Sequence, residues 1–392
     1  MMDLQLWLGL ILSLIGLFLS IWIVIPSPNF TLLPLGVITP EISPVLLIYN
    51  AIALLLSLFR GQNVISYVAI GCSLMGIGLS SIPLWQLSST IQKVEHQMQN
   101  ELENLQIPVD VQAKMRPQPF VLSDLLTGIK QPNVRQHSVS FAAIDGTPLS
   151  LEIYQPPHNG FYPAIIAIYG GAWQKGKPTQ NYQFNRYMAA QGYTVVAIDY
   201  RHAPRHRFPA QLQDVQTALQ LIGEQAASYE IDPHRIAVVG WSAGAHLAML
   251  LAYQSNTIPI RAVINYYGPT DLHKSYDDPP SPDPINTKAV LNTFLGGSPS
   301  QLPAVYDLAS PVSYVKSNLP PTLLIYGDRD HLVKSIFGQQ FYDDLRAVGN
   351  KAILINLPWS EHSFNAVFLG LGNQIALYYI ERFLLWAIGT EN

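Results

Sequence analysis

A serine at position 242 lies at the centre of a glycine-flanked turn, GWSAG at 240–244, whose pattern is typical of an exposed nucleophile. An apolar, β-branched run at 236–239 predicts a buried strand before the turn, and the residues from Ala243 onward predict a helix after it. The small flanking residues let strand and helix approach closely, which lifts the serine hydroxyl clear of the sheet. Because a helix N-terminus also favours developing negative charge, Ser242 is the candidate nucleophile.

Two later segments carry groups that could activate this serine. A serine hydroxyl is a weak nucleophile and requires a base, which an acid must orient. The predicted strand at 322–326 runs into GDRDHLV at 327–333, and the predicted strand at 352–357 runs into PWSEHSF at 358–364. Since the carboxyl ends of parallel strands meet at one edge of a sheet, both segments are expected beside Ser242. The residues alone leave both Asp328 and Asp330 as candidates for the acid.

Three histidines are candidates for the base. His246 lies four residues after Ser242 on the same predicted helix, so its side chain is expected to point along that helix into packing. His331 adjoins the acidic pair and is expected to point the other way. We interpret both as structural. His362 fits the order of serine, acid and histidine along the chain that is typical of this kind of turn.

Five motifs resemble the α/β-hydrolases of the hormone-sensitive-lipase and BD-FAE esterase group, which includes relatives of kynurenine formamidase and prenylcysteine methylesterase. They are YGGAWQKG at 169–176, DYRHAPRHRFPAQLQD at 199–214, GWSAG at 240–244, GDRDHLV at 327–333 and EHSF at 361–364. The resemblance covers about residues 137–390. Its G-x-x-D-x-x-V pattern implies Asp330 as the acid, and its H-x-F pattern implies His362 as the base.

The oxyanion of a tetrahedral intermediate also needs hydrogen-bond donors. The amide of Ala243, immediately after the nucleophile, is one candidate. The resemblance implies that the other donors are Gly171 and Ala172, in the loop where the family carries H-G-G. Tyr169 replaces the family's usual histidine, a residue that normally braces this loop. The stretch 199–214 is interpreted as structural, with charges that brace the strand end and the following helix.

The rest of the chain from about His137 predicts an α/β fold with a mostly parallel sheet covered by helices on both faces. An Asp145-Gly146 hairpin joins the first two strands. Residues 272–305 are rich in Pro, Asp and Ser and predict an inserted loop or partial lid. Strands are predicted at 138–144, 149–154, 164–169, 193–198, 236–239, 262–267, 322–326 and 352–357, and helices at 181–191, 209–228, from 243, at 335–348 and at 375–387.

The N-terminal 87 residues have a different composition, with only three charged side chains: Asp3, Glu41 and Arg60. Apolar runs predict two or three transmembrane helices at about 4–25, 45–59 and 64–87, of which the middle one is short enough to be re-entrant. Small or polar residues recur at helical spacing in all three runs, and such stripes let membrane helices approach closely.

Residues 88–136 connect the two regions. The spacing of apolar residues predicts an amphipathic helix at 88–106, which could continue the third span, lie on the membrane or cover the active site. Prolines at 108, 117 and 119 then indicate an irregular linker.

These patterns predict a membrane-anchored serine hydrolase that cleaves lipophilic carboxylic esters, either small molecules or lipids, through a Ser-His-Asp triad and an acyl-enzyme. An amidase, a peptidase or an acyltransferase would use the same triad, and a non-catalytic membrane interaction protein is the alternative from another class. A net charge of −4 gives no nucleic-acid footprint, and the single cysteine excludes a cysteine-based metal site, so no cofactor is predicted. If all three runs cross, Arg60 on the cytoplasmic side would put the hydrolase domain, 137–392, on the other side.

Overall fold

The computed structural model describes residues 2–58, 63–103, 105, 107–129, 133–254 and 258–389. The sequence predictions that concern Phe59, Arg60 and Gln106 lie outside these ranges. The strands are β1 Arg135–Ala142, β2 Pro148–Gln155, β3 Tyr162–Ile168, β4 Thr194–Ile198, β5 Ile231–Trp241, β6 Ile260–Tyr266, β7 Thr322–Gly327 and β8 Ala352–Leu357. The helices are α1 Met2–Ile21, α2 Leu33–Glu41, α3 Ser43–Leu58, α4 Val64–Glu101, α5 Val109–Gln112, α6 Leu122–Thr127, α7 Tyr182–Ala190, α8 Ala210–Glu224, α9 Ala243–Tyr253, α10 Leu272–Asp277, α11 Thr287–Leu295, α12 Pro303–Ala309, α13 Ser335–Ala347 and α14 Leu371–Leu384.

The eight strands form one sheet in the order β1-β2-β4-β3-β5-β6-β7-β8. Strands β3 to β8 are parallel to their neighbours, while β1 and β2 pair antiparallel with each other and β2 pairs antiparallel with β4. Gly146, with a φ of 83°, forms the turn between β1 and β2 that the Asp-Gly pair predicts. The mostly parallel sheet is thus confirmed.

The inner strands are buried along most of their length, with the exposed or partly exposed residues of β3, β5 and β6 at their N-terminal ends. Every residue of β4 and β7 is buried, and in β3 only the first residue is partly exposed. Strands that are buried on both faces have continuous apolar runs instead of alternating ones, which is why short β-branched segments such as 236–239 were predictable. Helices α7, α9, α13 and α14 pack against the sheet, and α8 packs on α9.

The predicted insertion at 272–305 folds into helices α10 and α11 and the start of α12. Asp271 caps α10 by accepting a hydrogen bond from the Lys274 amide, and Asn286 caps α11 in the same way from the Ala289 amide. The composition rich in Pro, Asp and Ser that predicted a loop is therefore compatible with short helices, whose N-caps are Asp271 and Asn286.

Helices α1, α3 and α4 form an N-terminal bundle that buries small and polar side chains and exposes large apolar ones. The small and polar stripes are buried between the helices, where Asn50 Nδ2 donates to Ser20 Oγ at 3.0 Å and Ser20 Oγ lies 2.9 Å from Ser80 Oγ. Large apolar side chains such as Trp7, Phe18 and Leu55 face outward and are more than half exposed. Close helix approach through small residues, with apolar side chains outside, is the packing expected of membrane helices.

Helix α4 is the described helix that is long and apolar enough to cross a bilayer on its own. Helices α2 and α3 meet the same criterion only when taken together, across a bend of 82°, and the apolar part of α1 is shorter. By length and composition α4 meets the criterion by itself among the described residues, and the bent pair of α2 and α3 would add a second span, so two or three spans stay a prediction.

Helix α4 also includes most of the amphipathic helix predicted at 88–106. It continues without a break from the bundle to Glu101 and packs against β8, so the first of the three predicted arrangements for 88–106 is the one observed. On this strand the Gln97 side chain accepts a hydrogen bond from the Leu354 amide at 2.9 Å and donates one to the Leu354 carbonyl at 3.2 Å. The bundle is therefore joined to the edge of the sheet by a continuous helix.

Candidate active site

Ser242 lies between β5 and α9 in a strained backbone conformation, with φ 53° and ψ −121°. A left-handed φ at a non-glycine residue costs free energy and persists only where the surroundings impose it. The surroundings here are tightly packed: a Cβ on Gly240 would lie 2.3 Å from the Gly244 carbonyl oxygen, and one on Gly244 would lie 2.0 Å from the Ile168 carbonyl oxygen. Both glycines of the motif are required because the strand, the helix and β3 meet at this point.

A chain of hydrogen bonds connects Ser242 to His362 and Asp330. The Ser242 Oγ is 3.0 Å from His362 Nε2, and His362 Nδ1 is 2.7 Å from Asp330 Oδ2. The other carboxylate oxygen, Asp330 Oδ1, accepts hydrogen bonds from the amides of Leu332 and Val333, both at 2.7 Å. The aspartate is therefore held by its own turn, and it fixes the histidine as an Nδ1–H donor whose Nε2 can accept the serine proton.

Asp328, the alternative acid, lies elsewhere. Its carboxyl is hydrogen-bonded to Ser335 at the start of α13, and burial raises its pKa above the usual aspartate range. It does not contact His362, so the structure brings Asp330 and not Asp328 to the imidazole.

The two alternative histidines have other partners. His246 is fully buried; its Nδ1 accepts a hydrogen bond from Trp173 Nε1 at 3.2 Å, and its Nε2 donates one to the Ala309 carbonyl at 2.6 Å. Burial lowers the pKa of His246 to about 4, which keeps the ring neutral. The His331 ring is paired with Glu361, and this hydrogen bond raises its pKa. Neither imidazole reaches the serine hydroxyl.

The loop after β3 lines the same cavity as Ser242, through Gly170, Gly171, Ala172 and Trp173. The φ angles are 146° at Gly171, 54° at Ala172 and 58° at Trp173, so the chain turns sharply beside the serine. Within the described part of the chain, the amides of Gly171, Ala172 and Ala243 donate no hydrogen bond. Unpaired amides at a cavity wall beside a nucleophile are the donors that an oxyanion requires.

Tyr169 braces this loop in place of the histidine that the resemblance led us to expect. Its hydroxyl lies 2.7 Å from Asp199 Oδ1 and 2.9 Å from His202 Nε2, and its ring stacks on Tyr200 with centroids 4.4 Å apart. In return, the Tyr200 hydroxyl donates to the Tyr169 carbonyl at 3.1 Å. Asp199 and His202 were not predicted to contact the candidate oxyanion loop, residues 169–175, and their signal in the sequence was their place in the 199–214 motif.

The charged residues of that motif form the brace that the sequence predicted. The Arg201 side chain pairs with Asp214 in α8 and, at 2.8 Å, with Asp145 in the β1–β2 turn. These ion pairs hold the end of β4 to the following helix and to the first hairpin.

Glu361 is a third residue that was not predicted from the sequence. Its Oε1 accepts hydrogen bonds from the amide of His331 at 2.7 Å and the amide of His362 at 2.9 Å. One carboxylate thus joins the acid turn, residues 327–333, to the histidine turn, residues 358–364. Its position beside His362 in the sequence is the signal that could have identified it.

The cavity at Ser242 has a volume of about 730 Å³ and is lined by residues from several parts of the chain. The oxyanion loop and the histidine turn form one side, and the 272–305 insertion contributes residues such as Ile285, Val290 and Leu291. Phe30, from the loop between α1 and α2, also lines it. No sequence pattern links Phe30 to residues more than 130 positions away.

Among the described residues, no group of three or more His, Cys, Asp or Glu could hold a metal ion.

Comparison with known proteins identifies relatives of the sheet-containing domain. The BD-FAE family model matches residues 151–345. Esterase LipQ of Mycobacterium tuberculosis is 32% identical over 216 residues, which are 52% of this chain and 50% of LipQ. The isoprenylcysteine alpha-carbonyl methylesterase ICME of Arabidopsis thaliana is 25% identical over 229 residues, which are 54% of this chain and 53% of ICME. The chain spans about half the length of these curated relatives.

A solved structure of a bacterial heroin esterase shares the architecture, with a TM-score of 0.59 at 24% identity over 67% of this chain and 88% of the other. A fungal esterase structure from Rhizomucor miehei has the same TM-score at 22% identity and covers 76% of this chain and 98% of its own. At these identities the similarity concerns the fold, and it confirms the α/β-hydrolase architecture predicted from the sequence.

Proposed function

We infer the function of this chain from the match of residues 151–345 to the BD-FAE family model. We propose that it is a serine hydrolase that cleaves carboxylic esters. The observation that carries the proposal is the hydrogen-bond chain from Asp330 through His362 to Ser242. The names of LipQ and ICME, an esterase and a methylesterase, favour an ester over an amide as the substrate.

In the proposed reaction the Ser242 Oγ attacks the ester carbonyl carbon while His362 Nε2 accepts the hydroxyl proton. Asp330 stays ionised, holds Nδ1–H and stabilises the imidazolium. His362 then gives its proton to the departing alkoxide, which leaves an acyl group on Ser242. A water molecule, deprotonated by the same imidazole, attacks this acyl-enzyme; the carboxylic acid leaves as His362 returns the proton to Ser242 Oγ, which restores the free enzyme.

The tetrahedral intermediates of both steps carry a negative oxygen, which we assign to the amides of Gly171, Ala172 and Ala243. Support comes from their unpaired state and from their position on the wall of the cavity at Ser242. Donors that are fixed before the reaction stabilise the developing charge without reorganising.

We further propose that the ester is lipophilic. The cavity wall includes Phe30, Trp173, Ile285 and Phe368, and its volume is in the usual range for drug-sized ligands. Apolar walls around a reactive carbonyl suit an acyl chain or a hydrophobic alcohol.

The domain limits are part of the proposal: a membrane region at 1–87 with spans at about 4–25, 45–59 and 64–87, a connector at 88–136 and the hydrolase domain at 137–392. The pairing of α1 with α4 supports three crossings. Ser13 is bonded to Ser73 and Ser20 to Ser80, so these helices run parallel, and a chain that passes from one to the other must return between them. Helix α3, whose Asn50 bonds Ser20, is the returning segment.

The test uses the full-length protein in detergent with a fluorophosphonate probe and a panel of p-nitrophenyl esters of increasing chain length. We expect labelling and hydrolysis by the wild-type protein and neither by Ser242→Ala. Ser300→Ala, a change at an exposed serine, serves as the matched control and should behave as wild type. A folded wild-type protein that is neither labelled nor active would refute the proposal and favour the non-catalytic alternative.

A further inference from the structure

The chain between α1 and α3 contacts the hydrolase domain at the two turns that carry Asp330 and His362. We call residues 24–41 the docking segment; it comprises the loop after α1 and all of α2. Three contacts connect it to the candidate active site, and each involves a different residue of the segment.

The first contact is made by Glu41, whose side chain is completely buried. Its Oε1 accepts a hydrogen bond from Ser360 Oγ at 2.6 Å, and its Oε2 accepts one from the Gly372 amide at 2.6 Å. Gly372 lies in the first turn of α14, a helix whose own N-cap residue, Gly370, has no side chain to offer. Glu41 therefore caps α14 from a distant part of the chain, where a negative charge is favoured by the helix dipole.

The fit around this carboxylate is close. A Cβ on Gly370 would lie 2.7 Å from Glu41 Oε2, and a Cβ on Gly372 would lie 2.7 Å from Ser360 Oγ. Both glycines therefore leave the space that the carboxylate and the serine occupy, and Glu41 has little freedom to move away.

Ser360 connects Glu41 to the turns that carry Asp330 and His362. It precedes His362 by two residues, and its carbonyl accepts the amide of Arg329, the neighbour of Asp330, at 3.1 Å. A Cβ on Gly327 would lie 2.1 Å from the same carbonyl, so the two turns are packed directly against each other. Ser360 is thus fixed on one side by Glu41 and on the other by the turn that carries the acid.

The second and third contacts come from the loop before α2. The Arg329 guanidinium donates a hydrogen bond to the Val24 carbonyl at 2.5 Å. Phe30 lines the cavity, and the Lys175 ammonium of the oxyanion loop lies 5.3 Å from the centre of its ring. The docking segment therefore contacts the acid turn, the histidine turn and the oxyanion loop.

We propose that Glu41 is a positioning residue for the triad, which acts through Ser360 to hold the turn that carries His362. The inference rests on the proposed function, because positioning matters only if His362 is the base. A serine hydrolase needs the imidazole within hydrogen-bond reach of the nucleophile, and a displacement of about 1 Å can lower the rate by about a hundredfold. The N-terminal region is therefore part of the active site as well as its anchor.

The test compares Glu41→Ala, Glu41→Gln and Ser360→Ala in the full-length protein. The control is Glu224→Ala, because Glu224 is an exposed carboxylate on α8 whose hydrogen bond is to Gln220 of the same helix. We expect Glu41→Ala to lower kcat for p-nitrophenyl butyrate at least about tenfold, with KM changed less than about threefold. Glu41→Gln keeps a carbonyl oxygen as acceptor and should recover part of the loss. Ser360→Ala should lower kcat in the same direction, and Glu224→Ala should match the wild type.

Two further measurements separate positioning from unfolding and from inactivity. The melting temperature in detergent reports whether each variant is folded, and Ser360→Ala decides the matter if Glu41→Ala does not fold. Hydrogen exchange should accelerate in the peptides that cover 327–333 and 358–364 while the central strands stay protected. A folded Glu41→Ala protein with wild-type kcat, or with unchanged exchange in both turns, would overturn the inference. Because exchange is measured without substrate, this outcome differs from failure of the proposed function, in which the wild type itself is inactive.

Discussion

Asp328 and Asp330 are two residues apart in one tight turn, and their side chains point to different partners. Both follow β7, and both were candidates for the acid because spacing alone places them at the same edge of the sheet. The turn directs Asp330 to His362 and Asp328 to Ser335 at the start of α13. Side-chain direction within a turn depends on its hydrogen bonds, which the residue types do not specify, so this choice required the family pattern or the structure.

Replacement of Asp330 should therefore be far more damaging than replacement of Asp328. We expect Asp330→Asn to lower kcat by about a hundredfold or more, because an amide no longer fixes the imidazole in the tautomer that accepts the serine proton. Asp328→Asn should stay near the wild-type kcat. Steady-state kinetics on a short p-nitrophenyl ester measure both, and the opposite ranking would identify Asp328 as the acid.

The conformation of the turn at Ser242 was predictable from the sequence, whereas the contacts of Tyr169 were not. The strained serine turn was predictable because its causes, a strand, a helix and two glycines, are adjacent in the chain. The brace on Tyr169 was not, because Asp199 and His202 come from the next strand end and meet the phenol only after the sheet has formed.

Among the elements, α4 shows which of the three arrangements predicted for 88–106 occurs. Its composition changes from apolar to amphipathic near residue 88, and the backbone continues through this change as one helix to Glu101. The composition of a helix reflects what surrounds it, which for α4 is first the other helices of the bundle and then the sheet. It does not indicate where the helix ends. The strands were predicted within a few residues, since buried parallel strands are short, apolar and bounded by turn residues.

Gln97 on α4 should stabilise the edge of the sheet. Strand β8 is terminal in the strand order, and the Gln97 amide satisfies both the N–H and the C=O of Leu354 as a neighbouring strand would. We expect Gln97→Ala to reduce stability by about 1–3 kcal/mol because it leaves these two groups unpaired. The apparent melting temperature in detergent measures the loss.

Gln92→Ala provides the matched control, since Gln92 is an exposed residue on the same helix. Equal melting temperatures for the two variants would mean that water replaces the Gln97 contacts without cost.

At the scale of the whole molecule, the bundle and the hydrolase domain follow opposite rules of burial. The hydrolase domain buries apolar strands, whereas the bundle buries serines and Asn50 and exposes its largest apolar side chains. The stripes of small residues were visible in the sequence because they repeat at helical spacing. The contact between the docking segment and the active site was not visible, because it joins Glu41 to a residue 319 positions later.

The proposed orientation places the hydrolase domain on the non-cytoplasmic side, following the retention of positively charged loops in the cytoplasm. We expect protease added to intact cells or sealed vesicles to degrade residues 137–390. An epitope at the C-terminus, followed by immunoblotting before and after lysis, provides the measurement. Complete protection before lysis, with cleavage afterwards, would reverse the topology.

The continuity of α4 has a geometric consequence for the choice of substrate. A helix of 38 residues is about 57 Å long, and about 20 of those residues suffice to cross the hydrocarbon core. If α4 crosses the bilayer as proposed, its remaining turns form a spacer of fixed length that ends on β8. Together with the contacts of the docking segment, this spacer would set the height of the cavity above the lipid. An added turn in α4 would shift its end by about 5.4 Å and strain those contacts. The depth at which a lipid carries its ester group would then be a criterion of selection, independent of the chemistry of its acyl chain.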